Sequence, residues 1–136
     1  MALFFWAVLG CCLIIGHHPA SAAPAKATKV KTSEVIAISV SGSKTQTTFE
    51  LVLSRGVPAE IFTLADPYRV IIDLPDVTFK IPSSTGQKGE GLITDFRYGL
   101  FAERKARVVI DTTGPVKIVK AEMVAVPSGV ALQIAL

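Results

Sequence analysis

The fold is decided most clearly by residues 61–75, which read IFTLADPYRVIIDLP. Residues 60–64 and 69–74 are rich in β-branched, aromatic and other apolar side chains, which favour strands. Between them, Asp66-Pro67 is a strong turn signal. The stretch therefore predicts two short strands joined by a tight turn.

The second of these strands has two different faces. Arg69, Ile71 and Asp73 share one face because side chains alternate along a strand. The opposite face is apolar and carries Val70, Ile72 and Leu74. Arg69 and Asp73 lie roughly 13 Å apart along the strand, which is too far for a direct ion pair. We therefore expect them to pair with charges on neighbouring strands, each exposed pair contributing about 0–1 kcal/mol. Arg107 and Asp111 repeat the arrangement.

Period-two alternation continues along most of the chain. With Gly and Pro residues marking the turns, it predicts nine strands, at residues 35–40, 49–54, 60–64, 69–74, 77–81, 92–98, 106–112, 116–126 and 130–136. Residues 116–126 contain a break near their middle. No long helical stretch with a clear apolar stripe is visible, so the fold class is all-β, a sandwich or a barrel. Alternation places Phe49 and Phe62 in strand cores.

An internal repeat favours the sandwich. Residues 69–73 (RVIID) resemble residues 107–111 (RVVID). In a second register, residues 51–56 align with 109–114, and residues 70–74 align with 132–136. A duplicated β-motif, in which each half covers the apolar face of the other, gives a two-sheet sandwich with an internal pseudo-repeat. Chance similarity between valine-rich strands is the alternative.

The charge of the chain excludes one class of partner. The 136 residues include 14 Lys and Arg against 11 Asp and Glu, a formal net charge of +3. Three of the basic residues, Lys26, Lys29 and Lys31, precede the first acidic residue, Glu34, and the rest of the chain is balanced. A nucleic-acid-binding domain carries its basic excess on the folded surface. No nucleic-acid partner is therefore expected.

The first 22 residues have the pattern of a signal peptide. Residues 2–16 are uncharged and mostly apolar, and Ala20-Ser21-Ala22 is a small-residue cleavage site. The apolar run is shorter than the roughly 20 residues that span a bilayer. The usual basic n-region is absent, and two alternatives stay open: a retained membrane anchor, or a lipoprotein with Cys11 lipidated. We predict a signal peptide at 1–22, a flexible leader at 23–33, and one β-domain at 34–136.

Removal of that segment limits the chemistry that remains. Every Cys, His and Trp of the chain lies within the first 18 residues, namely Trp6, Cys11, Cys12, His17 and His18. The mature chain then lacks the ligands of a usual zinc site and the residues of Cys-His or Ser-His catalysis. Its carboxylates are scattered along strand faces, whereas a glycosidase needs two that face each other across a cleft. We therefore expect no enzyme activity, no metal and no cofactor.

Three motifs together resemble one known family. Residues 61–75, residues 93–99 (ITDFRYG) and residues 107–111 occur in the order of the AMIN domain signature, and the resemblance runs from about Val35 to Leu136. It implies a non-catalytic β-sandwich, found at the N-terminus of exported N-acetylmuramoyl-L-alanine amidases and in some secretins. It also implies a periplasmic location in a Gram-negative-type envelope, peptidoglycan as ligand, and contact with the membrane only through the signal segment.

The chain departs from the amidase pattern because neither a zinc amidase domain nor a secretin domain follows the second repeat. It can be a stand-alone module, a truncated product or the front part of an amidase. Any amidase activity would belong to a missing C-terminal part. The alternative function is docking to an envelope assembly, such as a secretin or the division machinery.

The densest candidate for a ligand site is residues 97–107, RYGLFAERKAR. Guanidinium forks bind carboxylates, and aromatic faces cover sugar rings. The predicted peptidoglycan contacts are Arg97, Tyr98, Arg104 and Arg107, with Tyr68 and Arg69 beside them. A solvated hairpin tip is the alternative interpretation of the cluster.

Overall fold

The computed structural model describes residues 31–82 and 88–136. The predicted signal peptide, Cys11, the cleavage site at Ala22 and leader residues 23–30 lie outside this part of the chain. Ser33, assigned to the leader by sequence, is the first residue of a strand, and its hydroxyl donates a hydrogen bond to the carbonyl oxygen of Arg55 at 2.7 Å. The described residues include no helix long and apolar enough to cross a membrane.

The predicted all-β class is confirmed, and the described residues form nine strands. These are β1 (Ser33–Gly42), β2 (Thr47–Leu53), β3 (Glu60–Leu64), β4 (Arg69–Pro75), β5 (Val77–Phe79), β6 (Ile93–Ala102), β7 (Lys105–Thr112), β8 (Lys120–Val126) and β9 (Gly129–Ala135). The predicted break inside residues 116–126 is present, since only 120–126 are strand. Strand β6 is longer than predicted and continues through Ala102.

The strands form two sheets that enclose one core. The five-stranded sheet has the order β5-β1-β2-β9-β8, and the four-stranded sheet has the order β3-β4-β7-β6. Phe49 from the first sheet and Phe96 from the second meet edge to face, with ring centroids 5.3 Å apart. Fully buried Ile72 and Val108 belong to the same cluster. The predicted sandwich is therefore confirmed.

The order of the strands supports the predicted duplication. Matching β1, β2, β3 and β4 with β6, β7, β8 and β9 converts the order β1-β2-β9-β8 into β6-β7-β4-β3, which is the second sheet. Each sheet thus contains the first two strands of one half and the last two strands of the other. The expectation that each half forms one layer and covers the other is therefore wrong, because the halves exchange strands and neither can complete a sheet of the observed order by itself.

Two details of the sequence-based prediction were wrong, the burial of Phe62 and the alignment of the repeat. Phe62 is 39 % exposed and does not lie in the core, because β3 turns Ile61 inward instead. In the second register, residues 51–56 were matched to 109–114 with the wrong parity. Leu51 is buried in the core, whereas its proposed equivalent Val109 lies on the outer face, next to buried Val108 and Ile110. The strands correspond, but the alignment must shift by an odd number of residues.

Candidate binding surface on the four-stranded sheet

The outer face of the four-stranded sheet gathers three of the six candidate residues, Arg69, Arg97 and Arg107. The antiparallel registers place side chains in rows that cross from β3 through β4 and β7 to β6. The three rows are Leu64, Arg69, Asp111 and Asp95; Phe62, Ile71, Val109 and Arg97; and Glu60, Asp73, Arg107 and Gly99. A central row, apolar except for Arg97 on β6, therefore lies between two rows that carry charges.

Arg107 and Asp73 form the most regular ion pair of this face. The Nε and Nη2 atoms of Arg107 donate to the two carboxylate oxygens of Asp73, each at 2.6 Å. These hydrogen bonds lower the pKa of Asp73 below its ordinary value, and they raise the pKa of Arg107. The pair confirms the expectation that the charges of β4 pair across neighbouring strands.

Asp111 forms ion pairs with two guanidinium groups, those of Arg69 and Arg97. Its Oδ2 accepts a hydrogen bond from Nη1 of Arg97 at 2.5 Å, and its Oδ1 lies 3.4 Å from Nε of Arg69. That Nε makes no hydrogen bond within the described residues. The Arg97 side chain is 56 % exposed, whereas Arg69 is 31 % exposed. Arg97 can therefore turn to a ligand while Asp111 keeps Arg69 as its partner.

The central apolar row is covered by its neighbours. Ile71 is only 3 % exposed, although it points away from the core cluster. The long charged side chains beside it can cover apolar surface with their aliphatic stems. Phe62 at the sheet edge and half-buried Val109 complete the row. The accessible apolar surface of this face therefore lies at its edge, at Phe62, beside the charged rows, which suits a ligand that has both sugar rings and ionised groups.

A notch opens where the third row reaches β6, because that position is Gly99. A Cβ atom added there would meet no atom within 4 Å, and the Gly99 backbone is not in the left-handed region. The notch has a volume of about 200 Å³, and its lining includes Arg97, Phe101, Arg107 and Val109. Two guanidinium groups and one aromatic ring thus surround the same small space.

Phe101 is the residue of this site that the sequence reading did not select. Its ring centroid lies 4.1 Å from Cζ of Arg107, an arrangement that favours a cation–π interaction. The pairing of β6 with β7 shifts register between Leu100 and Ala102, which inserts one additional residue at Phe101. The signal in the sequence was a second aromatic inside a basic stretch, but the bulge could not be read from it.

The other predicted contact residues are placed differently. The ring of Tyr98 stacks on Phe79 at 4.7 Å, on the opposite side of β6 from Arg97, and its hydroxyl donates to the carbonyl oxygen of Pro82. Arg104 lies in the β6–β7 turn and pairs with Asp76 at 2.5 Å. The structure therefore brings Arg69, Arg97 and Arg107 together on one face and Arg104 to its end. Tyr98 borders the notch through its position in β6, but its ring stacks on Phe79.

Tyr68 lies at the far end of the same sheet, in the turn between β3 and β4, and is 40 % exposed. It borders a second opening of about 210 Å³ together with Leu64 and Arg69. Within residues 31–82 and 88–136, no three His, Cys, Asp or Glu side chains are grouped as metal ligands would be.

Comparison with protein families gives one match. The AMIN domain matches residues 37–136, which is most of the chain and all but the start of the described sandwich. No curated protein sequence matches the chain.

Proposed function

The chain belongs to the AMIN domain family, and from this premise we propose that it is a non-catalytic module that binds peptidoglycan and localises the protein at the bacterial cell wall. AMIN domains occur in exported envelope proteins and are non-catalytic. The periplasm is the compartment that fits this role, and it agrees with the signal-peptide pattern of residues 1–22.

The observation that carries the proposal is the notch at Gly99. Arg97 and Arg107 face it from two strands, and Phe101 forms its end. Arg107 is held by Asp73 and by the Phe101 ring, so its charge is already paired and its guanidinium forms a fixed wall of the notch. Arg97 shares the Asp111 carboxylate with Arg69, and its side chain is 56 % exposed. It can therefore bind a ligand carboxylate without leaving Asp111 unpaired.

We assign separate roles to the groups around the notch. A stem-peptide carboxylate would bind to the Arg97 guanidinium, and a sugar ring would pack on the exposed part of the Phe101 ring. Arg69 and Tyr68 at one end of the face, and Arg104 at the other, would extend the contact along the glycan. The ring of Tyr98, which faces Phe79, supports the notch from behind.

Filling the notch tests the proposal without removing any charge. We expect Gly99→Gln to reduce co-sedimentation with purified sacculi about tenfold, equivalent to about 1.4 kcal/mol. Gly114→Gln is the matched control, because a Cβ atom at Gly114 also meets no atom within 4 Å and Gly114 does not line the notch. Both proteins should unfold at the same denaturant concentration as the parent.

Two outcomes would contradict the proposal. If Gly99→Gln sediments as well as the parent, the notch is not the binding site. If the parent itself stays in the supernatant, the module does not bind the wall. The alternative function, docking to an envelope protein, would then be the better explanation. The hairpin between β6 and β7 supports it, because Leu100 is 60 % exposed and Phe101 is 47 % exposed there.

A further inference from the structure

A further opening, which we call the cleft, lies on the other side of Phe101. It is separate from the notch and from the opening beside Tyr68. Its volume is about 200 Å³, and it is located where β3 begins and β4 ends. Apolar walls are formed by Pro58, Pro75 and Phe101, and the polar lining consists of Glu60, Asp73 and Lys105. The two openings thus share one aromatic ring as the wall between them.

The free charges of this cleft are one negative and one positive group. Asp73 is already neutralised by the two hydrogen bonds from Arg107. Glu60 and Lys105 take part in none of the ion pairs formed within the described residues. Both side chains are exposed, and they come from β3 and β7, which are separated by β4. A ligand between them meets a carboxylate on one side and an ammonium on the other.

We propose that this cleft binds a zwitterionic amino-acid group, with its ammonium at Glu60 and its carboxylate at Lys105. A simple anion gains at Lys105 but is repelled by Glu60, and a simple cation has the opposite difficulty. Only a ligand that carries both charges gains at both ends. The apolar part of such a ligand would lie against Phe101 and the two prolines.

The source of the ligand rests on the proposed function. Peptide stems of the cell wall that contain diaminopimelate display an ammonium and a carboxylate on one carbon. Because the cleft and the notch share Phe101, one stem and the sugar next to it could occupy both openings. The cleft would then bind the diaminopimelate end of the stem, and the notch would bind another carboxylate of the same stem and the sugar beside it.

Three small probes with the same kind of unbranched carbon chain distinguish the contribution of the ammonium group from that of the carboxylate. We expect meso-diaminopimelate to shift the backbone amide resonances of Glu60, Phe101 and Lys105 in the isotope-labelled full chain. Pimelate lacks the ammonium groups, and 1,5-diaminopentane lacks the carboxylates; each should bind at least tenfold more weakly. Equal binding of either analogue, or shifts confined to Arg97 and Gly99, would overturn the proposal.

Variants locate the two contacts. Glu60→Gln and Lys105→Gln should each weaken diaminopimelate binding about tenfold, whereas Lys44→Gln, in the exposed β1–β2 turn, should leave it unchanged. Unchanged binding in either cleft variant, with folding verified by denaturation, would overturn the assignment.

Sedimentation with sacculi distinguishes this proposal from the proposed function. We expect Lys105→Gln to sediment less than the parent. If the variant loses diaminopimelate binding but sediments normally, the cleft recognises a free amino acid, contrary to our assignment. If the parent sediments but never binds diaminopimelate, only the cleft proposal fails. If the parent binds diaminopimelate but not sacculi, the proposed function fails.

Discussion

Ile71 and Val109 are direct partners in the antiparallel pair of β4 and β7, and they are also the central residues of the two similar segments RVIID and RVVID. An antiparallel pair reverses one segment relative to the other. The first Arg of each segment therefore faces the last Asp of its partner. The internal similarity thus produces two opposed Arg–Asp pairs, one on each side of an apolar centre.

One of these pairs predicts a pH dependence of stability. Arg107 lowers the pKa of Asp73 in the folded state, mainly through the side-chain hydrogen bonds. The unfolded protein, with an Asp pKa of about 4, therefore takes up protons first as the pH falls. The stabilisation is fully present above about pH 4 and is lost as the pH falls through the folded-state pKa.

We expect the free energy of unfolding, measured by urea titration, to decrease below about pH 4. Asp73→Asn should be less stable than the parent at neutral pH and should show a smaller decrease in acid. An identical acid slope in the parent and in Asp73→Asn would show that this pair does not control the dependence.

The apolar inner face of β4 predicts a large stability effect. Ile72 is fully buried between the sheets, so Ile72→Ala should cost about 2–5 kcal/mol in chemical denaturation. Val119 is 69 % exposed, and Val119→Ala is the control, with an expected change within about 0.5 kcal/mol. Similar effects of the two substitutions would mean that the face of β4 has been assigned incorrectly.

The sequence predicted the strands well because alternation and turn residues are local signals. Residues 60–64 were predicted with the observed bounds, and the repeat predicted a duplicated motif in a two-sheet sandwich, but not the exchange of strands between the sheets. The same segment also shows the limit of alternation. Ile61, Phe62 and Leu64 are all apolar, so periodicity does not decide which face is inward. Packing of Ile61 against the core decides it and leaves Phe62 outside.

The candidate site was predictable only in part. Arg97, Arg104 and Arg107 were selected because residues 97–107 combine basic and aromatic side chains. The position of Phe101 depends on the register shift in β6, which has no distinct sequence signal. Glu60 and Lys105 are 45 positions apart in the chain and share a cleft only because β3 and β7 flank β4. Predicting a site whose residues come from distant strands requires the strand order and register of the sheet, and local sequence patterns do not contain them.

Export predicts a defined mature terminus. The protein recovered from the envelope should begin near Ala23, because Ala20-Ser21-Ala22 is the cleavage pattern. It should contain no bound zinc, since every His and Cys would be removed with residues 1–22. N-terminal sequencing and metal analysis check both statements. A lipid on a retained Cys11, or stoichiometric zinc in washed protein, would contradict them.

The basic tail should contribute little to wall binding. Lys26, Lys29 and Lys31 supply the whole net charge of the chain, and the remaining residues are balanced. Exposed charges of this kind are largely screened at moderate salt. Deleting residues 23–31 should therefore leave most of the sedimentation with sacculi intact at moderate salt. If the deletion abolished binding there, the tail rather than the sandwich would hold the protein at the wall.

The arginines at the notch and at the hairpin make the most direct prediction about binding. Arg97 and Arg104 are each 56 % exposed, and each pairs with one carboxylate, Asp111 or Asp76. Replacing both with Ala should weaken sedimentation with sacculi more than tenfold, because charge-assisted hydrogen bonds to the ligand are lost. Arg97→Ala alone should account for most of the loss, since Arg97 lines the notch and Arg104 does not.

Arg104→Ala alone is the comparison that separates the notch from the turn. It leaves the notch intact, and its effect on binding should be the smaller one. Arg97→Ala should remain folded because Asp111 retains Arg69, and denaturation measured in parallel verifies this. If the double variant sediments as well as the parent while remaining folded, the outer face of the four-stranded sheet is not the wall-binding surface. If Arg104→Ala alone reproduces the whole loss, the hairpin turn rather than the notch holds the ligand.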